Sequence, residues 1–81
     1  MVTIKEFATR FNYYYGQLYD GKMKLSDRYV RIGDRLIDQH DPMVGKLANY
    51  RHDYLMSDRE VAAFGMTYAY FKRKEKTKKS R

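Results

Sequence analysis

Apolar residues recur along most of the chain at spacings of three and four, the period that gathers side chains on one face of an α-helix. The first series is Ile4, Phe7, Ala8, Phe11, Tyr14, Tyr15 and Leu18. Thr3 and Glu6 precede it as a capping box, in which each side chain satisfies the other residue's backbone N–H. Gly21 can take the left-handed conformation in which helices often end. The spacing predicts a helix from about Ile4 to Asp20.

A second series, Tyr29, Val30, Gly33, Leu36, Ile37 and His40, begins after Ser26, an N-cap residue followed by Asp27 in the first turn. Pro42 stops it near His40, because the residue before a proline is pushed out of helical geometry. Asp41-Pro42 is itself a helix start, and Val44, Leu47, Ala48, Tyr54 and Leu55 share the face of a third helix. Ser57 and Glu60 form a second capping box ahead of Val61, Phe64, Gly65, Tyr68 and Phe71. The fourth helix starts at Asp58 and its apolar face ends at Phe71, since Lys72 falls where the next core residue belongs. No alternating strand pattern interrupts this order. The expected fold is all-α, a compact bundle of four short helices over residues 1–71 with a basic, partly disordered C-terminal tail over 72–81.

Charge changes this picture only at the end of the chain. Residues Lys72 to Arg81 (KRKEKTKKSR) hold seven basic side chains and one acidic, a net +6, whereas the whole chain carries +7. The body is therefore almost neutral, and the field comes from the tail. With 81 residues and 43% hydrophobic content, one core is affordable and a second is not. The absence of cysteine rules out disulfides and thiolate metal sites and favours a reducing compartment. Lys5, Glu6 and Arg10 interrupt the stretch a signal peptide would need, and no uncharged run approaches the roughly 18 residues of a membrane span. A cytoplasmic protein without membrane contact is expected, or a nuclear one if the host has a nucleus.

Candidate chemistry is sparse. The pairs His40-Asp41 and His52-Asp53 are the only residues suggesting acid/base work or a metal. A metal site needs three or four ligands, so the plainer reading makes His40 a helix terminus and His52 a surface residue. No activated nucleophile, phosphate-cradling glycine loop or paired-carboxylate motif is present. No catalytic residue, metal or cofactor is expected, and the chain reads as a non-enzyme.

The polar side of the second helix divides at about 100° of rotation per residue. Arg28, Arg31 and Arg35 gather on one flank, and Asp27, Asp34 and Asp38 on the other. Such an arginine row suits a phosphate backbone. Its plainer reading is a solvated face laced with Arg31–Asp34 and Arg35–Asp38 pairs. Among nine tyrosines, Tyr14, Tyr15, Tyr29, Tyr54 and Tyr68 fall on or beside apolar faces, whereas Tyr13 and Tyr70 point away from them. An exposed tyrosine suits base stacking and protein interfaces alike. The third and fourth helices could form a helix-turn-helix, but Asp58 and Glu60 would meet phosphate at the start of the reading helix, so an ordinary helical hairpin is expected.

These features point to a small nucleic-acid-associated regulatory or accessory protein. Lys72, Arg73, Lys74, Lys76, Lys78, Lys79, Arg81 and Tyr70 are its candidate contacts to DNA or RNA. The alternative is an inhibitor or adaptor, of a size that suits a virus or mobile element. It would dock Tyr13, Arg28, Arg31 and Arg35 on an acidic protein surface.

Overall fold

A computed structural model describes the backbone of residues 2–79 and the side chains of residues 2–74. Among these residues it is all-helical, with Ile4–Tyr19 (α1), Asp27–Asp38 (α2), Pro42–Arg51 (α3) and Asp58–Lys79 (α4). Both expected capping boxes form. Thr3 Oγ1 accepts the Glu6 N–H at 3.2 Å while Glu6 Oε1 accepts the Thr3 N–H at 3.1 Å. Those Thr3 groups, the N–H first and the hydroxyl second, hold the Glu6 carboxyl below its ordinary range. Ser26 occupies the N-cap position of α2, yet its side chain makes no capping bond. Asp41 caps α3 by accepting the Met43 N–H at 2.9 Å.

Three helix ends use a left-handed residue. Gly21 (φ 76°) ends α1, where the Lys22 N–H donates to the Gln17 carbonyl at 2.9 Å. His40 (φ 55°) ends α2 in the same way, its N–H donating to Ile37 and that of Asp41 to Leu36, both at 3.0 Å. These are paired bonds of the Schellman type, which satisfy carbonyls the helix leaves open. His40 is exposed rather than part of the α2 apolar face. His52 (φ 59°) stops α3 at Arg51, which corrects the longer third helix expected from periodicity. Tyr54 lies past that turn and is 48% exposed, so it is not a packing residue, while Leu55 is buried from the connection.

The fourth helix does not stop at Phe71, its last packed residue. Its backbone stays helical to Lys79. Lysine, arginine and glutamate are good helix formers, and cations near a helix C-terminus oppose the negative end of its dipole. Of the basic tail expected over residues 72–81, residues 72–74 are helical and exposed, and the side chains of 75–81 lie outside the described residues.

α4 is the central element, with α1 packed along one side, α2 along another, and α3 on α1. Both flanking helices run antiparallel to it: Phe7 meets Phe71 while Tyr19 meets Arg59, and Tyr29 meets Gly65 while Gly33 meets Val61. α3 packs on α1 and also touches α4 at both ends in the antiparallel sense of the expected hairpin, with Asp41 at its start bonded to Tyr68 and Arg51 at its end bonded to Glu60. Flanked twice, α4 buries more than one stripe: Val61, Ala62, Ala63, Phe64, Gly65 and Thr67 are all buried. Buried Thr67 donates its hydroxyl to the Ala63 carbonyl at 2.7 Å and so leaves no unpaired donor.

The α2–α4 crossing is backbone to backbone. A Cβ at Gly33 would stand 2.6 Å from Val61 Cγ1 and against the Val61 carbonyl. One at Gly65 would press on the Tyr29 carbonyl and lie 3.1 Å from the Gly33 nitrogen. Neither backbone obstacle can move without parting the helices.

The corner between α3 and α4 is held by charge. Arg51 Nη2 donates to Glu60 Oε2 at 2.8 Å, and the two side chains are 16% and 9% exposed. Glu60 Oε1 also accepts the N–H groups of Met56 (3.1 Å) and Ser57 (3.0 Å) and the Ser57 hydroxyl (3.1 Å). The Arg51 guanidinium lies 4.7 Å from the centre of the buried Phe11 ring. Burial pushes the Glu60 carboxyl up, but Arg51 and these donors outweigh it, and the carboxyl titrates below its ordinary range.

Two outcomes follow for stability. Gly65→Ala and Gly33→Ala should each destabilise by about 3 kcal/mol through overpacking. Gly45→Ala, with nothing within 4 Å of its Cβ, should instead stabilise by up to about 1 kcal/mol. Urea titration of the three variants checks this contrast. Because Glu60 has a lowered folded-state pKa, its contribution is present above the unfolded value near about 4.3 and is lost as pH falls through the folded one. Glu60→Gln should cost about 3 kcal/mol at neutral pH by stranding Arg51, and should flatten the loss of stability between about pH 5 and 3. Thermal melts across that range would expose an error if the variant kept the parent's acid dependence.

Candidate functional site

A groove of about 320 Å³ opens between α1 and the last packed turn of α4, lined by Lys5, Glu6, Thr9, Arg10, Tyr70 and Lys74 among others. The i, i+3 and i, i+4 spacing on α1 places Arg10 beside Tyr13 and Tyr14. Its guanidinium carbon lies 5.3 and 5.8 Å from those ring centres. It approaches the Tyr70 ring of α4 more closely, at 4.2 Å, and Nη2 donates to the Tyr70 hydroxyl at 3.2 Å. Lys74 Nζ lies 5.5 Å from the same ring. Tyr70 is thus shared by two cations, and it is half-buried rather than turned to solvent. α4 packs on two sides, so the side opposite its main apolar stripe faces α1 instead of water.

The rings continue inward. Tyr13 meets Tyr14 edge-on at 5.4 Å, Tyr14 meets Tyr70 at 6.5 Å, and Tyr70 meets Phe71 at 5.0 Å. Phe71 stacks on buried Phe7 at 6.0 Å, which ties the surface end of this ladder to the core. Tyr13 is 51% exposed, in agreement with its place on the polar side of α1.

Of the predicted tail contacts, Lys72, Arg73 and Lys74 are exposed on α4 directly after Phe71. Lys76, Lys78 and Lys79 lie on its helical backbone, with side chains outside the described residues, and Arg81 lies outside them altogether. The structure thus brings Tyr70 and Lys74 together with Arg10 and Lys5, two residues that sequence reasoning did not single out. The local signal for Arg10 was its spacing from Tyr13 and Tyr14. Its contact with Tyr70, sixty residues on, had none.

Arg28, Arg31 and Arg35 are exposed on α2. Among the described residues none of them reaches a carboxylate within ion-pair distance, so the expected Arg31–Asp34 and Arg35–Asp38 pairs are not formed. Arg28 instead lies 5.8 Å from the Tyr29 ring. This row sits on a different helix from the groove.

The two His-Asp pairs are punctuation in the fold. His40 and His52 hold left-handed turns, Asp41 caps α3 and accepts from the Tyr68 hydroxyl at 3.3 Å, and Asp53 lies 3.8 Å from Arg51. No three His, Asp or Glu side chains gather in a metal-holding arrangement among the described residues, and no helix is long and apolar enough to cross a membrane. Compared with protein families, curated proteins and solved structures, the chain matches none.

A left-handed conformation costs a residue with a Cβ roughly 1 to 2 kcal/mol, a penalty glycine escapes. His40→Gly and His52→Gly should therefore each raise stability, by up to about 1 kcal/mol after the extra unfolded-state entropy of glycine is offset. Chemical denaturation measures this. A loss of stability in either variant would show that the imidazole does more than end a helix.

Proposed function

We propose that this chain is a small nucleic-acid-associated regulatory or accessory protein whose contact surface is the C-terminal part of α4 with the adjoining edge of α1. The observation that carries this reading is the continuation of α4 as one helix from its packed core residues into the basic run. Lys72, Arg73 and Lys74 follow Phe71 without a break, and Lys74 also lines the groove that holds Arg10 and Lys5. Lys74 thereby joins the basic run to the cations of the groove, and clustered lysine and arginine favour a phosphate backbone through release of its counterions. Half-exposed tyrosines among those cations add surfaces suited to bases.

A second reading is supported by a different observation. The arginine row of α2 is exposed and without carboxylate partners among the described residues, which leaves three guanidinium groups available to an acidic protein surface. In that reading the chain is an inhibitor or adaptor that docks through Arg28, Arg31 and Arg35, with Tyr13 a separate contact on α1.

Titration of a labelled duplex at several salt concentrations separates the two. Contact with about four phosphates should give a logarithmic salt slope near −3.6. Glutamine in place of the seven tail cations should remove most of that slope, while glutamine at Arg28, Arg31 and Arg35 should change it little. No binding of duplex or single strand even at about 50 mM salt would reject the first reading and leave the second in front.

A further inference from the structure

Arg10 is an arginine without a carboxylate partner among the described residues, although Glu6 stands one helical turn away on α1. Glu6 is occupied by Thr3, whose N–H and hydroxyl both donate to Oε1, at 3.1 and 3.0 Å. The Arg10 guanidinium is held by rings instead: three tyrosines surround it, and the Tyr70 hydroxyl accepts one of its N–H groups. These contacts fix the flat cation at the mouth of the groove and leave its remaining N–H donors for a ligand. Lys5 and Lys74 also line the groove, so among the described residues three cations stand there with the carboxylate of Glu6.

The chemistry of this open groove decides what kind of nucleic acid suits it. The faces of bases inside a duplex are covered by their neighbours, whereas an unpaired base exposes both faces to aromatic rings and guanidinium planes. Tyr13 offers such a ring beside Arg10, half exposed and anchored edge-on to Tyr14. Lys74 belongs both to the groove and to the basic run, so a strand following the tail would pass the groove.

We infer that Tyr13, Arg10 and the Tyr70 groove form a stacking site for an unpaired base, with Lys5 and Lys74 on the flanking phosphates. This makes single-stranded nucleic acid, DNA or RNA, the preferred ligand over duplex. The inference rests on the nucleic-acid reading given above.

The test uses the full chain with labelled single-stranded DNA, single-stranded RNA and a matched duplex. The full chain should bind a single strand more tightly than duplex. Tyr13→Ala, at an exposed position, should weaken single-strand binding about tenfold, as expected for loss of one stacked base, and leave duplex binding within about twofold. Arg10→Lys, which keeps the charge but not the flat guanidinium, should act in the same direction. The chain has no tryptophan, so its tyrosine emission is readable directly and should fall on single-strand binding, less so in Tyr13→Ala. Equal losses on single strand and duplex, or no loss in either variant, would overturn the stacking site while leaving a phosphate-tracking protein. Absence of all binding by the full chain would overturn both. Displacement of the single strand by polyglutamate at equal charge would instead assign the surface to an acidic protein.

Discussion

The backbone contact between α2 and α4 is the constraint on which the rest of the architecture depends. Two helices approach this closely only where neither carries a Cβ at the crossing, and Gly33 and Gly65 meet that condition from both sides. The closeness sets Gly33 against Val61 and Gly65 against Tyr29, and fixes the line along which α2 lies on α4. With α2 seated there, the opposite flank of α4 is left for α1, and the core forms between them from Phe7, Phe11, Phe64 and Leu36. α3 packs on α1 and buries Val44 and Leu47.

Two devices turn the chain so that this arrangement closes. Left-handed residues at Gly21, His40 and His52 end the first three helices sharply, and two of these positions carry a Cβ at some energetic cost. The Arg51–Glu60 pair then fixes the turn into α4. A largely buried ion pair gains little on balance against its desolvation, but here Glu60 also accepts bonds from Met56 and Ser57, so the carboxylate is fully engaged and the start of α4 is tied to the end of α3. Phe11 beneath the guanidinium links that corner to the core.

The candidate interface lies at the other end of α4. Where the aromatic core reaches the surface, through Phe71, Tyr70 and Tyr14, the side chains around it become cationic. A stack of rings that stabilises the α1–α4 contact also positions Arg10, so packing and the proposed ligand chemistry share the same residues. The basic run is an extension of the helix that carries those rings, and its cations agree with the polarity of the helix end.

Local rules were enough for much of this protein. The spacing of Ile4, Phe7, Phe11 and Leu18, the Thr3–Glu6 and Ser57–Glu60 boxes and the Asp41-Pro42 start depend on residues within a turn or two of one another, so four helices and most of their ends were legible in the sequence alone. The concentration of charge in the last ten residues was legible too. What the tertiary structure decided were the contacts between residues distant along the chain. Periodicity could not tell that α4 is covered on two flanks, so it assigned Tyr70 to solvent and passed over Ala62, Ala63 and Thr67. It carried Tyr54 on α3 because no local rule demands a left-handed histidine at position 52. Arg10 and Tyr70 stand sixty residues apart, and only the antiparallel packing of α1 on α4 makes them neighbours. Helix formation is governed by neighbours in sequence, whereas a binding groove is a property of surfaces brought together by the core.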